Sequence, residues 1–277
     1  MAGERQGVLM RTDESTFSGL EKIARKRDAK GCYFNRGPHC KAKEMEIWLR
    51  SHNEEDYVFG MFASSQVCMD MPNKRKLQKQ ILVAIDQLVE DLPSSFCDEV
   101  KQDCRSTASI LANLNTGAHW LTFRLELIQH NACFKWHQDN CICRIIIPLV
   151  GVGSCVANDA AVDWKEFYDN IEEKTNEKCV HQDNMMLMET NSVILMKGGL
   201  WPGIHGRGLT HKAPLASGKK RLLLKIDLDY SRPPIHFDDS STEDEEEEEG
   251  KVDSCGELKR LFTSEGFQQS KVWRCMR

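Results

Sequence analysis

His137-Gln138-Asp139 places an imidazole and a carboxylate two positions apart, and His211 follows seventy-two residues after the aspartate. On an extended segment residues i and i+2 point to the same side, so His137 and Asp139 can grip one ion together. A histidine from a distant strand completes one face of a coordination sphere. Two neutral imidazoles and one carboxylate suit a divalent first-row metal, iron above all, and the open face leaves positions for substrate and dioxygen. Arg221, ten residues beyond His211, opens an apolar run. Its guanidinium can take the far carboxylate of a dicarboxylate co-substrate through two parallel hydrogen bonds. Arg144, five residues after Asp139, is the competing anchor, or else an ordinary strand-end arginine.

A His-x-Asp pair arises often by chance, and the chain carries its own control. His181-Gln182-Asp183 repeats the tripeptide only 28 residues before His211, in a polar connection, and reads as a surface segment. The first copy lies between two strand-like runs, beside Phe134 and Trp136. His205 competes with His211 as third ligand, but it sits among Pro202, Gly203, Gly206 and Gly208, a composition that favours a loop over a positioned strand. Trp136 and Trp201 are candidates to wall the site, although a tryptophan beside a strand is more often plain core. Cys133, Cys141, Cys143 and Cys155 cluster near the ligands. Their spacing does not suit zinc, and buried apolar packing is the better reading.

These residues need elements to hold them. Leu77, Ile81, Leu82, Ile85, Leu88 and Val89 follow a helical period from Lys74, and a second helix capped by Ser94 or Ser95 runs to about Asn113. After Gly117 the period becomes two: Leu121, Phe123, Leu125 and Leu127 share one face, Thr122, Arg124 and Glu126 the other. That is the pattern of a half-buried strand. Further strands are expected over 144–150, 154–157, 185–189, 192–197 and 222–228, with a helical insert over 164–174. Many short strands without a βαβ rhythm predict an antiparallel sandwich or barrel prefaced by a helical layer. Residues 1–55 show no sustained period. The domain is expected over 56–235, an acidic disordered linker over 236–252 and a short terminal segment over 253–277.

Nine acidic residues fall within 238–249, and without them the formal net charge of −5 turns mildly positive. That falls short of the basic stripe of a nucleic-acid binder. No run is long and apolar enough to span a membrane. Twelve cysteines on a chain without a secretory signal point to reduced thiols, in the cytoplasm or else the nucleus.

The segment from about Phe123 to Asp229 resembles an uncharacterised, mainly bacterial family of domains of unknown function. The matching pieces are Phe134-Lys135-Trp136-His137-Gln138-Asp139-Asn140, Cys143-Arg144, Val193 to Gly198, Gly208-Leu209-Thr210-His211-Lys212-Ala213-Pro214 and Arg221-Leu222-Leu223-Leu224. More broadly the chain is similar to the Fe(II)/2-oxoglutarate-dependent oxygenases. Trp136-His137-Gln138-Asp139 is similar to the phytanoyl-CoA hydroxylase group, though no asparagine and serine follow His211 as that group has them. The resemblance implies a mainly β fold, a double-stranded β-helix or jelly-roll with an N-terminal helical layer. It further implies Fe(II) on His137, Asp139 and His211, and 2-oxoglutarate held by Arg221 or Arg144 for hydroxylation-type oxidation of an unidentified substrate. A metal-binding or metal-handling protein of the same fold without turnover is the alternative. An interaction protein using the acidic run to hold a basic partner is a third reading.

Overall fold

Apolar-rich extended runs such as Cys143–Val150 and Ser192–Lys197 build the largest sheet of the protein. A computed structural model describes residues 7–12, 16–57, 60–70, 73–129, 134–169, 176–204, 206–215 and 219–232, all within one unit, Met1–Pro234. The acidic run, the segment 253–277, Cys133 and His205 lie outside the described residues. Seven strands form the large sheet, and in chain order they are β1 (Val8–Arg11), β2 (Ala29–Asn35), β3 (Met61–Cys68), β4 (Trp120–Ile128), β5 (Cys143–Val150), β8 (Ser192–Lys197) and β10 (Arg221–Asp229). The small sheet contains β6 (Cys155–Ala157), β7 (Met185–Leu187) and β9 (Thr210–Lys212). Their spatial orders are β1-β2-β8-β5-β10-β4-β3 and β7-β6-β9.

Helices cover the outer face of the large sheet. They are α1 (Phe17–Ala24), α2 (Ala42–Arg50), α3 (Lys74–Leu88) and α4 (Ser94–Asn113). Leu20, Met45, Ile85 and Phe96 from these helices share a core with Phe123, Leu125, Leu224 and Ile226 of the sheet. The Asn73 side chain caps α3 by accepting from the Arg75 N–H at 2.7 Å. At α4 the expected serine cap is replaced: Pro93 holds the cap position and Ser94 is already helical. Proline suits a helix start because its missing N–H would have had no intrahelical partner there. A short helix α5 (Trp164–Asp169) begins where the insert was expected. Among the described residues no helix is long and apolar enough to cross a membrane.

The sheet begins earlier than the sequence pattern shows, because β1 and β2 fall inside the patternless first 55 residues. The alternation in β4 also has a different meaning from the half-buried strand it suggests. Thr122 is 2% exposed and Phe123 fully buried, so both faces are covered. The inner face meets the small sheet, and Ile146, Ile194 and Met196 of one sheet pack with Val156 of the other and with Leu209.

Candidate metal centre

Backbone pairing brings the two histidines together. The N–H of His137 donates to the His211 carbonyl and the N–H of His211 to the His137 carbonyl, both at 2.9 Å. This isolated antiparallel bridge ties the segment before β5 to β9. Residues facing each other in such a bridge project on the same side, and the two imidazole centroids stand 4.4 Å apart. Asp139, two residues on, turns to the same side. Its Oδ2 lies 3.3 Å from His211 Nε2 and its Oδ1 3.8 Å from His137 Nε2. One ligand atom from each of the three residues lies within 4.8 Å of the others, and this is the metal-compatible group found among the described residues.

The tautomers are set by the backbone. His137 Nδ1 contacts the Lys135 carbonyl at 2.8 Å and His211 Nδ1 the Leu209 carbonyl at 3.0 Å. A carbonyl only accepts, so each Nδ1 carries the hydrogen and each Nε2 offers a lone pair to the shared space. Burial lowers the His211 pKa to about 4 despite the opposing pull of Asp139, which keeps the ring neutral as a ligand must be. Burial alone would raise the Asp139 pKa, but Arg144, then His211 and His137, outweigh it and hold the carboxyl well below its usual range. Among the described residues Asp139 Oδ2 is buried with no hydrogen-bond partner. Two neutral donors and one orphaned carboxylate oxygen fit a divalent first-row ion.

The loop bearing Asp139 is clasped by the segment after β8. Gly199 N–H donates to the Asp139 carbonyl at 2.8 Å, Leu200 N–H to the Cys141 carbonyl at 3.1 Å and Gly198 N–H to the Ile142 carbonyl at 2.9 Å. Lys197 anchors this segment from below, donating to the Lys26 carbonyl at 2.8 Å and lying 4.6 Å from the Trp201 ring. Trp201 packs on the large core, and Trp136 packs with Cys155, Ala161 and Phe167. Core packing therefore accounts for both tryptophans. Cys141, Cys143 and Cys155 are buried free thiols, and His181 is exposed.

One half of the inner face is charged, which the sequence pattern did not reveal. Along β10, Leu222, Leu224, Ile226 and Leu228 pack outward into the helical core, so Arg221, Lys225 and Asp227 point inward. Arg144 donates from Nε and Nη2 to Asp227 at 2.6 and 2.9 Å and from Nη1 to Asp139 Oδ1 at 2.8 Å. Arg124 pairs with the same Asp227, and Lys225 pairs with Glu126 at 2.5 Å. Arg221 is 3% exposed. It lies six residues from Asp227, about 20 Å along the strand, whereas Lys225 is only two residues away. The available signal was the alternation of Arg124 and Glu126 in β4, and of Lys225 and Asp227 in β10, with apolar residues, which suits an inward charged face as well as a solvent one.

A profile of the family described as Protein of unknown function (DUF1826) matches residues 38–227. No curated protein matches the chain. Among solved structures, the Arabidopsis thaliana dioxygenase for auxin oxidation 1, in a 2-oxoglutarate binary complex, is similar over 80% of this chain and 92% of that one, with 10% identity and a TM-score of 0.45. A dioxygenase for auxin oxidation in rice is similar over 80% and 82%, with 13% identity and a TM-score of 0.45. A Pseudomonas putida prolyl-4-hydroxylase is similar over 78% and 100%, with 10% identity and a TM-score of 0.35.

Proposed function

We propose that this chain, which belongs to the family described as Protein of unknown function (DUF1826), is an Fe(II)/2-oxoglutarate-dependent dioxygenase on a double-stranded β-helix. The observation that carries this reading is the convergence of His137 Nε2, His211 Nε2 and Asp139 Oδ2 on one space, with both imidazole tautomers fixed by backbone carbonyls. Three donors on one side leave the other positions of an ion open to ligands, the arrangement of iron oxygenases. When bound, ferrous iron with 2-oxoglutarate supplies the oxidation of a C–H bond, and the protein supplies orientation and exclusion of water.

In this reading His137, Asp139 and His211 hold the ion, and Ile146, Val156, Ile194 and Met196 keep the neighbouring space between the sheets dry. Arg221, the anchor that the sequence suggests for the far carboxylate of 2-oxoglutarate, stands at the opposite end of β10 from Asp227, the partner of Arg144. Lys225 is a second candidate, because it shares the inward face and lies close enough to bear on the charge of Asp139. Arg144 is committed to Asp139 and Asp227, which argues against it as the anchor. The test is anaerobic loading with Fe(II), spectral titration with 2-oxoglutarate, then exposure to oxygen with succinate measured. One equivalent of iron and succinate formation support the reading. Iron without 2-oxoglutarate binding would instead make the chain a metal-binding protein without turnover.

A further inference from the structure

We propose that Arg144 is a positioning residue that confines Asp139 to one-oxygen coordination, and that Asp227 and Arg124 exist to lock Arg144 in that role. The inference rests on the metal site proposed above. Asp139 presents two chemically equivalent oxygens, and a carboxylate is free to bind an ion through one or both. Here the two are made unequal. Oδ1 accepts from Arg144 Nη1 at 2.8 Å, while Oδ2 is buried, has no hydrogen-bond partner among the described residues and lies 3.3 Å from His211 Nε2.

The guanidinium doing this cannot swing away. Its Nε and Nη2 form a parallel fork on the two oxygens of Asp227, at 2.6 and 2.9 Å, a bidentate geometry that fixes the plane of the group as well as its place. Asp227 stands opposite Arg144 in the register of β10 with β5, is 3% exposed, and also pairs with Arg124 from β4. Three adjacent strands thus hold one donor against one oxygen of Asp139. The four charges of the chain Arg124, Asp227, Arg144 and Asp139 cancel, so the arrangement orients the ligand without adding net charge to the inner face. A chelating carboxylate would take a coordination position that 2-oxoglutarate or oxygen needs; holding Oδ1 on Arg144 keeps that position open.

Co(II) reports this directly, because its visible absorption responds to the number of ligands. The full chain and its Arg144→Lys and Asp227→Asn variants are titrated with Co(II), with thermal melts alongside. Lysine keeps the charge but has no fork, and asparagine is isosteric with aspartate. Both variants are expected to bind Co(II) about 10–100-fold more weakly, the usual effect of removing a group that orients a ligand, and with a changed absorption spectrum. Folded variants with unchanged affinity and spectrum would overturn the proposal. Weaker binding with an unchanged spectrum would also overturn it, reducing Arg144 to a purely structural residue. If Arg144→Lys does not fold, the isosteric Asp227→Asn decides. Absence of Co(II) binding by the unmodified chain would sink the metal site itself, and this proposal with it.

Discussion

Replacing Gly198 by alanine removes no proposed ligand atom yet is expected to cripple the proposed metal site. The new Cβ would stand 2.1 Å from the Cys141 carbonyl oxygen, 2.9 Å from the carbonyl carbon and 3.0 Å from the Asp139 carbonyl oxygen. These are backbone atoms, held by the three hydrogen bonds that clasp the loop to the segment after β8, so no side chain can turn aside to relieve the clash. Carbon and carbonyl oxygen settle at about 3.3–3.6 Å, so the Asp139–Cys141 loop must retreat by more than about 1 Å. A metal site tolerates about 0.2 Å in its ligand distances. Overpacking of this kind costs about 1–3 kcal/mol of stability. Gly198→Ala is therefore expected to melt earlier and to bind Fe(II) or Co(II) at least about 10–100-fold more weakly, as when other supporting groups are disturbed. Calorimetric metal titration on protein shown to be folded by circular dichroism measures this. A folded Gly198→Ala protein with unmodified affinity would mean that the clasp does not position Asp139.

His137→Ala, Asp139→Ala and His211→Ala should each abolish stoichiometric iron binding while His181→Ala retains it, read by metal content after anaerobic purification; the reverse pattern would overturn the assignment. Arg221→Ala should keep iron but bind 2-oxoglutarate roughly thirty- to several-thousand-fold more weakly, as for a broken buried charge pair of about 2–5 kcal/mol. Unchanged affinity there with a loss in Lys225→Met transfers the anchor to Lys225. Burial lowers the Lys197 pKa from 10.5 to about 8. The unfolded chain holds that proton to about pH 10.4, so the burial penalty is present in full below pH 8 and stability rises with pH between the two values. Lys197→Met should remove that rise, changing the stability difference from the unmodified protein by on the order of 2–3 kcal/mol between about pH 7 and pH 10.5. Denaturant curves offset equally at both pH values would contradict it.

The grouping of His137, Asp139 and His211 was legible because a two-residue step on an extended chain has one geometric meaning, and because His211 falls in a strand-like context. Their supporting groups were not. Arg124 and Asp227 alternate with leucine and phenylalanine, and alternation shows that a strand has two unlike faces without showing which meets water. What marks that face as inward is contact with Arg144 of β5, itself bound to Asp139 of the loop before it, and no local period records a partner so far along the chain. β2 was hidden for a related reason: Ala29–Cys32 is buried residue after residue, so Lys30 and Gly31 interrupt its pattern without marking a surface. His137 and His211 show no sequence sign of their backbone pairing, since a lone bridge between segments 74 residues apart imposes no periodicity on either.

The order of strands has a consequence for biogenesis. β10 is the last described strand in the chain, yet it sits between β5 and β4 near the middle of the large sheet. Until it is made, the sheet exists as two blocks, with the inner edges of β5 and β4 unpaired and flanked by isoleucine, leucine and phenylalanine. Edges of that kind recruit other chains. A ribosome that stops anywhere between His211 and Arg221 would release a polypeptide with every proposed metal ligand but no seam joining the blocks. Such products are expected to be cleared or to aggregate rather than to act as weakened versions of the whole, so premature stops in this interval should behave as nulls.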